Sequence, residues 1–105
     1  MATNRLDILR QMLAQDPSNT FARYGLAMEY SKAGDYRSAV TEFNSLIAAD
    51  DSYVAAYYHG GQSLEKLGDL EGARNIYERG IAASQRKGDA HTRAEIEAAL
   101  QLLPI

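Results

Sequence analysis

The sequence predicts an all-α fold, an antiparallel helix-hairpin solenoid of about six helices, and two observations carry that expectation. The first is self-similarity. Shifted by about 34 residues, the 105-residue chain lays Gly34 on Gly68 and Asp35 on Asp69. Tyr36 then meets Leu70, Ala39 meets Ala73, Phe43 meets Tyr77 and Ile47 meets Ile81. Upstream, Ala27 meets Gly61, Tyr30 meets Leu64 and Lys32 meets Lys66. Small residues fall on small ones and large apolar residues on large apolar ones, as a shared packing geometry requires. The second observation is that apolar residues recur at helical spacing on both sides of each duplicated stop, Lys32-Ala33-Gly34-Asp35-Tyr36 and Lys66-Leu67-Gly68-Asp69-Leu70.

Taken in order, residues 3–17 read as a lone second helix of a pair, a half-repeat. Leu9, Met12, Leu13 and Asp16-Pro17 stand one period before Phe43, Leu46, Ile47 and Asp50-Asp51, and Pro17 ends the helix. The first full repeat covers 20–53. Its helix A, from about Thr20 to Ala33, buries Ala22, Leu26, Ala27 and Tyr30, and Ser18 and Asn19 offer oxygens to the unpaired first-turn amides. Gly34 supplies the left-handed residue that closes helix A, and Asp35 caps helix B, which carries Ala39, Val40, Phe43, Leu46 and Ile47. The second repeat, 54–87, restates this with helix A from about Tyr53 to Leu67 and helix B from about Leu70 to Arg86. Ala39 and Ala73 are small where helix A lies close, since a bulkier side chain would force the pair apart. Residues 89–103 form a capping helix, with Asp89 as N-cap and Ile96, Ala99, Leu100 and Leu103 on one face. In the 34-residue frame Glu95 stands where the repeats have Ala27 and Gly61, which a helix without a successor tolerates.

The chain is long enough for one domain with a real core, and its 46% hydrophobic and 24% charged content is that of an ordinary globular protein. A net charge of −3 argues against a nucleic-acid partner, which calls for a basic face. With no cysteine, thiolate chemistry and cysteine-based zinc sites are excluded. The opening residues mix Arg and Asp into the apolar positions, and no apolar run is long enough to cross a bilayer. The expectation is therefore a cytoplasmic chain without a membrane partner.

The combination of a small residue in helix A, a Gly-Asp turn, a small Ala early in helix B and a later aromatic resembles the tetratricopeptide repeat (TPR) family, over nearly the whole chain. Departures stand beside the match. The family's aromatic early in helix A is Arg23 in the first unit and Tyr57 in the second, and the usual Leu before the small residue is Gly60 in the second. Gly60-Gly61 inside a helix costs about 1 kcal/mol per Gly relative to Ala, so the expectation is a close approach by another element together with some local softness. A phosphate loop would need a preceding strand and a Lys-Ser or Lys-Thr end, and both are absent.

The resemblance implies a curved stack whose A helices line a concave face, holding an extended peptide or an amphipathic helix of a partner protein, with no catalysis and no cofactor. The candidate groove residues are Phe21, Tyr24, Met28, Tyr58, His59 and Gln62, with Arg93 from the capping helix. Large aromatics and Met suit a binding surface, and the same residues could equally cover the seam between units. The family's carboxylate clamp for chaperone C-termini transfers poorly. Its first Lys is Tyr24 here, its first Asn is Met28, its second-unit Asn is His59 and one basic position is Asp89, so Arg93 alone matches. An apolar or amphipathic segment is the better expectation. The alternative is self-assembly, with Ile8, Leu9 and Met12 or the Leu100–Ile105 tail pairing copies into a homodimer. For metal, His91 and Glu95 share a face four residues apart, but two ligands make no stable site and a solvated helix face is expected. His59 reads as a stacking or hydrogen-bonding contact, because no Ser or Cys nucleophile pairs with it. Arg37, Glu42, Glu71, Arg74, Glu78 and Arg79 alternate in sign along the B helices and read as solvated surface.

Overall fold

Six helices and no strand account for the secondary structure of residues 4–105, the part described by the computed structural model. The expected start at residue 3 lies outside the described residues. Helix α1 spans Arg5–Gln15, α2 Thr20–Lys32, α3 Tyr36–Ala49, α4 Val54–Lys66, α5 Leu70–Lys87 and α6 Ala90–Gln101. Each packs on the next in antiparallel pairs, and α4 also touches α2 and α6, so these three A-type helices run side by side along one face. The stack is elongated, 45 × 28 × 19 Å.

The helix ends follow from local chemistry. Asn19, Asp35, Asp69 and Asp89 each accept a hydrogen bond from the backbone N–H three residues on, at 2.9–3.2 Å, satisfying one of the amides a helix start leaves unpaired. Gly34 and Gly68 sit at φ +82° and +81°, where a side chain would be strained, and the following Asp N–H returns to Tyr30 O and Leu64 O at 2.9 Å. The duplicated pentapeptide is thus the tight turn between helices A and B. A second repeated device joins B to A. The Asp16 carboxylate accepts from Ser18 N–H and Oγ, and Asp50 does the same from Ser52 N–H and Oγ.

Two apolar clusters lie end to end. The larger joins Ala27, Phe43, Leu46, Ala56, Tyr57, Ala73, Ile76, Tyr77 and Ile96 across α2 to α6, and the smaller holds Leu9, Leu13, Ala22 and Leu26 between α1 and α2. Gly60 and Gly61 are buried in the larger one. A β-carbon on Gly61 would stand 2.1 Å from Tyr77 Cε1, and one on Gly60 would stand 3.0 Å from Ile76 Cδ1 and 3.3 Å from Phe43 Cβ. The glycine pair therefore admits helix α5 and the Phe43 ring, which is the close approach the sequence suggested.

Arg23 explains its own departure from the aromatic pattern. Its Nη2 donates to Pro17 O at 3.2 Å, while one period later Tyr57 Oη donates to Asp51 O at 2.7 Å. Both side chains tie helix A to the loop before it. Arg23 Nη1 also pairs with Glu42 at 2.7 Å, with both side chains only about one-fifth exposed. Glu42 is therefore a partner across the α2–α3 seam, not the solvated residue expected. Arg74 does lie on an open surface, between Glu71 and Glu78, and Arg79 covers the Tyr57 ring.

The last helix departs from the 34-residue frame. The caps Asn19 and Tyr53 keep that spacing, but Tyr53 to Asp89 is two residues longer, because α5 has 18 residues where α3 has 14 while the link that follows it is two residues shorter. Two extra residues turn a helix by about 200°. Ile96, not Glu95, thus faces inward, fully buried, and Glu97 takes the place that Gly61 holds in α4. Glu97 is exposed there, with no later helix among the described residues packed against it.

Candidate functional site

The face formed by α2 and α4 carries a cluster of rings. Tyr24 of α2 lies against Tyr53 with centroids 5.3 Å apart and edge-on to Phe43 and His59 at 6.3 and 6.0 Å. His59 stacks on Phe43 at 6.4 Å and meets Tyr58 edge-on at 5.2 Å. These are separations at which aromatic pairs add to simple burial. Tyr24, Tyr53, Met28 and Tyr58 are half-buried against the main core, so they cover the inter-unit seam and present their remaining surface to solvent. Burial raises the hydroxyl pKa of Tyr24 and Tyr53. Burial lowers the imidazole pKa of His59 and so favours the neutral ring, against the opposing influence of Gln62 and of the Glu95 charge.

Beside this cluster lie two recesses that share Gln62 and Glu65. One, of about 280 Å³, is lined by Ser31, Tyr36, Gln62, Glu65 and Lys66, between α2 and α4. The other, of about 350 Å³, lies between α4 and α6 and is lined by Tyr58, Gln62, Glu65, Glu95, Ala98, Ala99 and Leu102. Glu65 is held from behind by the Tyr77 hydroxyl, which donates to its Oε2. That contact, after burial, pushes the Tyr77 pKa up.

Of the expected site residues, Tyr58 and Gln62 line a recess, Tyr24 and His59 join Tyr58 in the ring cluster, and Met28 packs half-buried on the main core. Phe21 is 69% exposed and lines neither recess, because it sits one turn earlier at the open end of α2. Arg93 is a correction. The two-residue offset of α6 carries it out of the groove, where its Nε lies 3.5 Å from Glu97, and it lines neither recess. Glu95 takes the groove position instead, with His91 at 3.5 Å and 88% exposed. Among the described residues no group of three or more His, Asp or Glu is arranged to hold a metal ion. Sequence reasoning also missed Tyr53, which it spent as a helix start, and Leu102, which it placed in a tail. A length comparison of the two B helices would have flagged the altered register.

A tetratricopeptide repeat family model matches residues 6–62, and a second matches 54–87. The chain belongs to the tetratricopeptide repeat family. A TPR repeat-containing protein of Pseudomonas aeruginosa is 33% identical over 95 residues, 90% of each chain. The solution structure of a Bordetella parapertussis protein superposes with a TM-score of 0.85 at 29% identity, covering 97% of this chain and 89% of that one. The TPR2B domain of yeast Sti1, in its complex with pHsp70, reaches a TM-score of 0.86 over 91% of this chain and 77% of that one. At 14% identity that likeness is one of fold alone. TPR arrays are protein-interaction modules, and no helix of the described residues is long and apolar enough to cross a membrane.

Proposed function

We propose that this TPR array is a scaffold or adaptor that binds an extended peptide or helix of a partner protein along the face of α2, α4 and α6, with no catalytic step. The observation that carries the reading is the half-buried ring cluster of Tyr24, Tyr53, Tyr58 and His59, which Tyr58 joins to one of two recesses that share Gln62 and Glu65. Rings already held by neighbours lose little rotamer freedom on binding, so their contact area converts efficiently into affinity. The Sti1 domain is seen with pHsp70, but a carboxylate tail is a poor fit here. Tyr24, Met28 and His59 replace the clamp's donors, and Arg93 stands outside the groove. The test is cross-linked capture from native lysate with Tyr58→Ala and, as a control on the far side, Arg37→Ala. Partners should be lost with the first and kept with the second. Retention by Tyr58→Ala with unchanged affinity would overturn the groove.

Self-association is a second reading, favoured by the exposure of Ile8 (46%) and Met12 (36%) on the free side of α1. Leu9, expected to join them, is 3% exposed because it packs on α2, and Leu103 of the tail is likewise buried. Multi-angle light scattering at high concentration decides it, a strictly monomeric mass excluding the homodimer.

A further inference from the structure

We infer that the recess between α4 and α6 selects a basic side chain, so that the partner segment is one carrying a Lys or Arg next to an apolar residue. The inference rests on the groove reading above and adds the chemistry of what enters it.

Four features point the same way. The recess is lined by two carboxylates, Glu65 and Glu95, and by no cation. Glu65 is held in place, since the Tyr77 hydroxyl engages its Oε2, and only part of the side chain remains accessible. Glu95 reaches the groove through the two-residue offset of α6, and its neighbour at 3.5 Å is the His91 side chain, which is almost fully exposed. Tyr58 lines the same recess, and its ring suits the stem of a Lys or the plane of a guanidinium, while Ala98, Ala99 and Leu102 add apolar lining. Leu102 is 83% exposed and gives an apolar neighbour of the basic residue something to cover. The chain's net charge of −3 adds a weak long-range attraction of the same sign. The adjoining recess contains Lys66 with Glu65 and is balanced, so the preference belongs to the α4–α6 side.

The experiment selects random dodecapeptides on the full chain by display. It then measures the enriched peptides by fluorescence polarisation against wild type, Glu65→Gln/Glu95→Gln and Tyr58→Ala. Gln at 65 keeps an acceptor for Tyr77, and circular dichroism melts confirm that each variant folds. Enriched peptides should share a Lys or Arg beside an apolar residue. Their affinity should fall about tenfold or more on the double Gln variant, which is the usual scale for losing a charge-assisted contact. Replacing the basic residue by norleucine should cost a similar factor on wild type and little on the double variant. Peptides lacking any basic residue that bind wild type and the double Gln variant alike, yet lose affinity on Tyr58→Ala, would overturn the charge preference and leave the groove standing. Binders indifferent to all three substitutions would overturn both.

Discussion

At the scale of single residues, the tightest constraints fall on glycines that face a ring. A β-carbon on Gly80 would stand 2.5 Å from Tyr57 Cβ, an atom fixed to the backbone of α4, and one on Gly61 would meet the fully buried Tyr77 ring. Replacing a helical Gly by Ala gains about 1 kcal/mol of propensity, but forcing a methyl into such a contact costs about 1–3 kcal/mol. Gly61→Ala and Gly80→Ala should therefore lower the urea midpoint, whereas Gly60→Ala, at 3.0 Å from a flexible Ile76 terminus, should cost less than either. Equal midpoints for the three variants would contradict this packing. His59 sets a second expectation. Its folded pKa lies below the ordinary 6.5 because burial disfavours the imidazolium, so the unfolded chain takes up the proton first. Stability is full above about pH 6.5 and falls as pH drops through the window between that value and the depressed folded one. Asp50 and Asp89 are held below the usual carboxylate range by Ser52 and Thr92 and act only at lower pH. The drop in melting temperature between about pH 7.5 and about pH 5.5 should be larger for the wild type than for His59→Gln.

At the scale of elements, what matters is where each helix begins. Asp35 and Asp69 occupy the same place in the two hairpins, each accepting the third amide of its helix. Asp69→Ala should cost about 1 kcal/mol, most of it recovered by Asp69→Asn, which keeps the acceptor. A thermal melt distinguishes the two, and equal loss from both would mean that charge, not capping, does the stabilising. Helix length acts at this scale as well. The longer α5, with its shorter following link, moves the start of α6 by a net two positions and so exchanges Arg93 for Glu95 in the groove. A change of about half a turn in one helix alters the charge of a face to which α5 contributes no lining residue.

Over the whole molecule, stability is divided between two clusters. Leu9 and Leu13 attach α1 through the small cluster shared only with α2, whereas α3 to α5 are knitted into the larger one. In a stacked array of this kind each unit is held by its immediate neighbours, so an end helix opens at lower free energy than the middle. Native-state hydrogen exchange should show α1 amides less protected than those of α3 and α5. Leu9→Ala should lower α1 protection while leaving α5 protection nearly unchanged. Uniform protection along the chain would mean that the two clusters unfold as one.

The sequence by itself determined the hairpins. The duplicated Lys-x-Gly-Asp turn, the Asx caps and the 34-residue matching of small and large residues are local or nearest-neighbour signals, and they specify which helices form and which pack together. The resemblance carried by Gly34, Asp35, Ala39 and Phe43 was enough to read the family. Tertiary structure alone decided the composition of the groove. Tyr53 became a ring partner of Tyr24, Glu42 joined Arg23 across a seam, and α6 presented Glu95 in place of Arg93. The physical reason is phase. A helix turns by about 100° per residue, so an end misplaced by two positions leaves the element intact and reverses the face it shows.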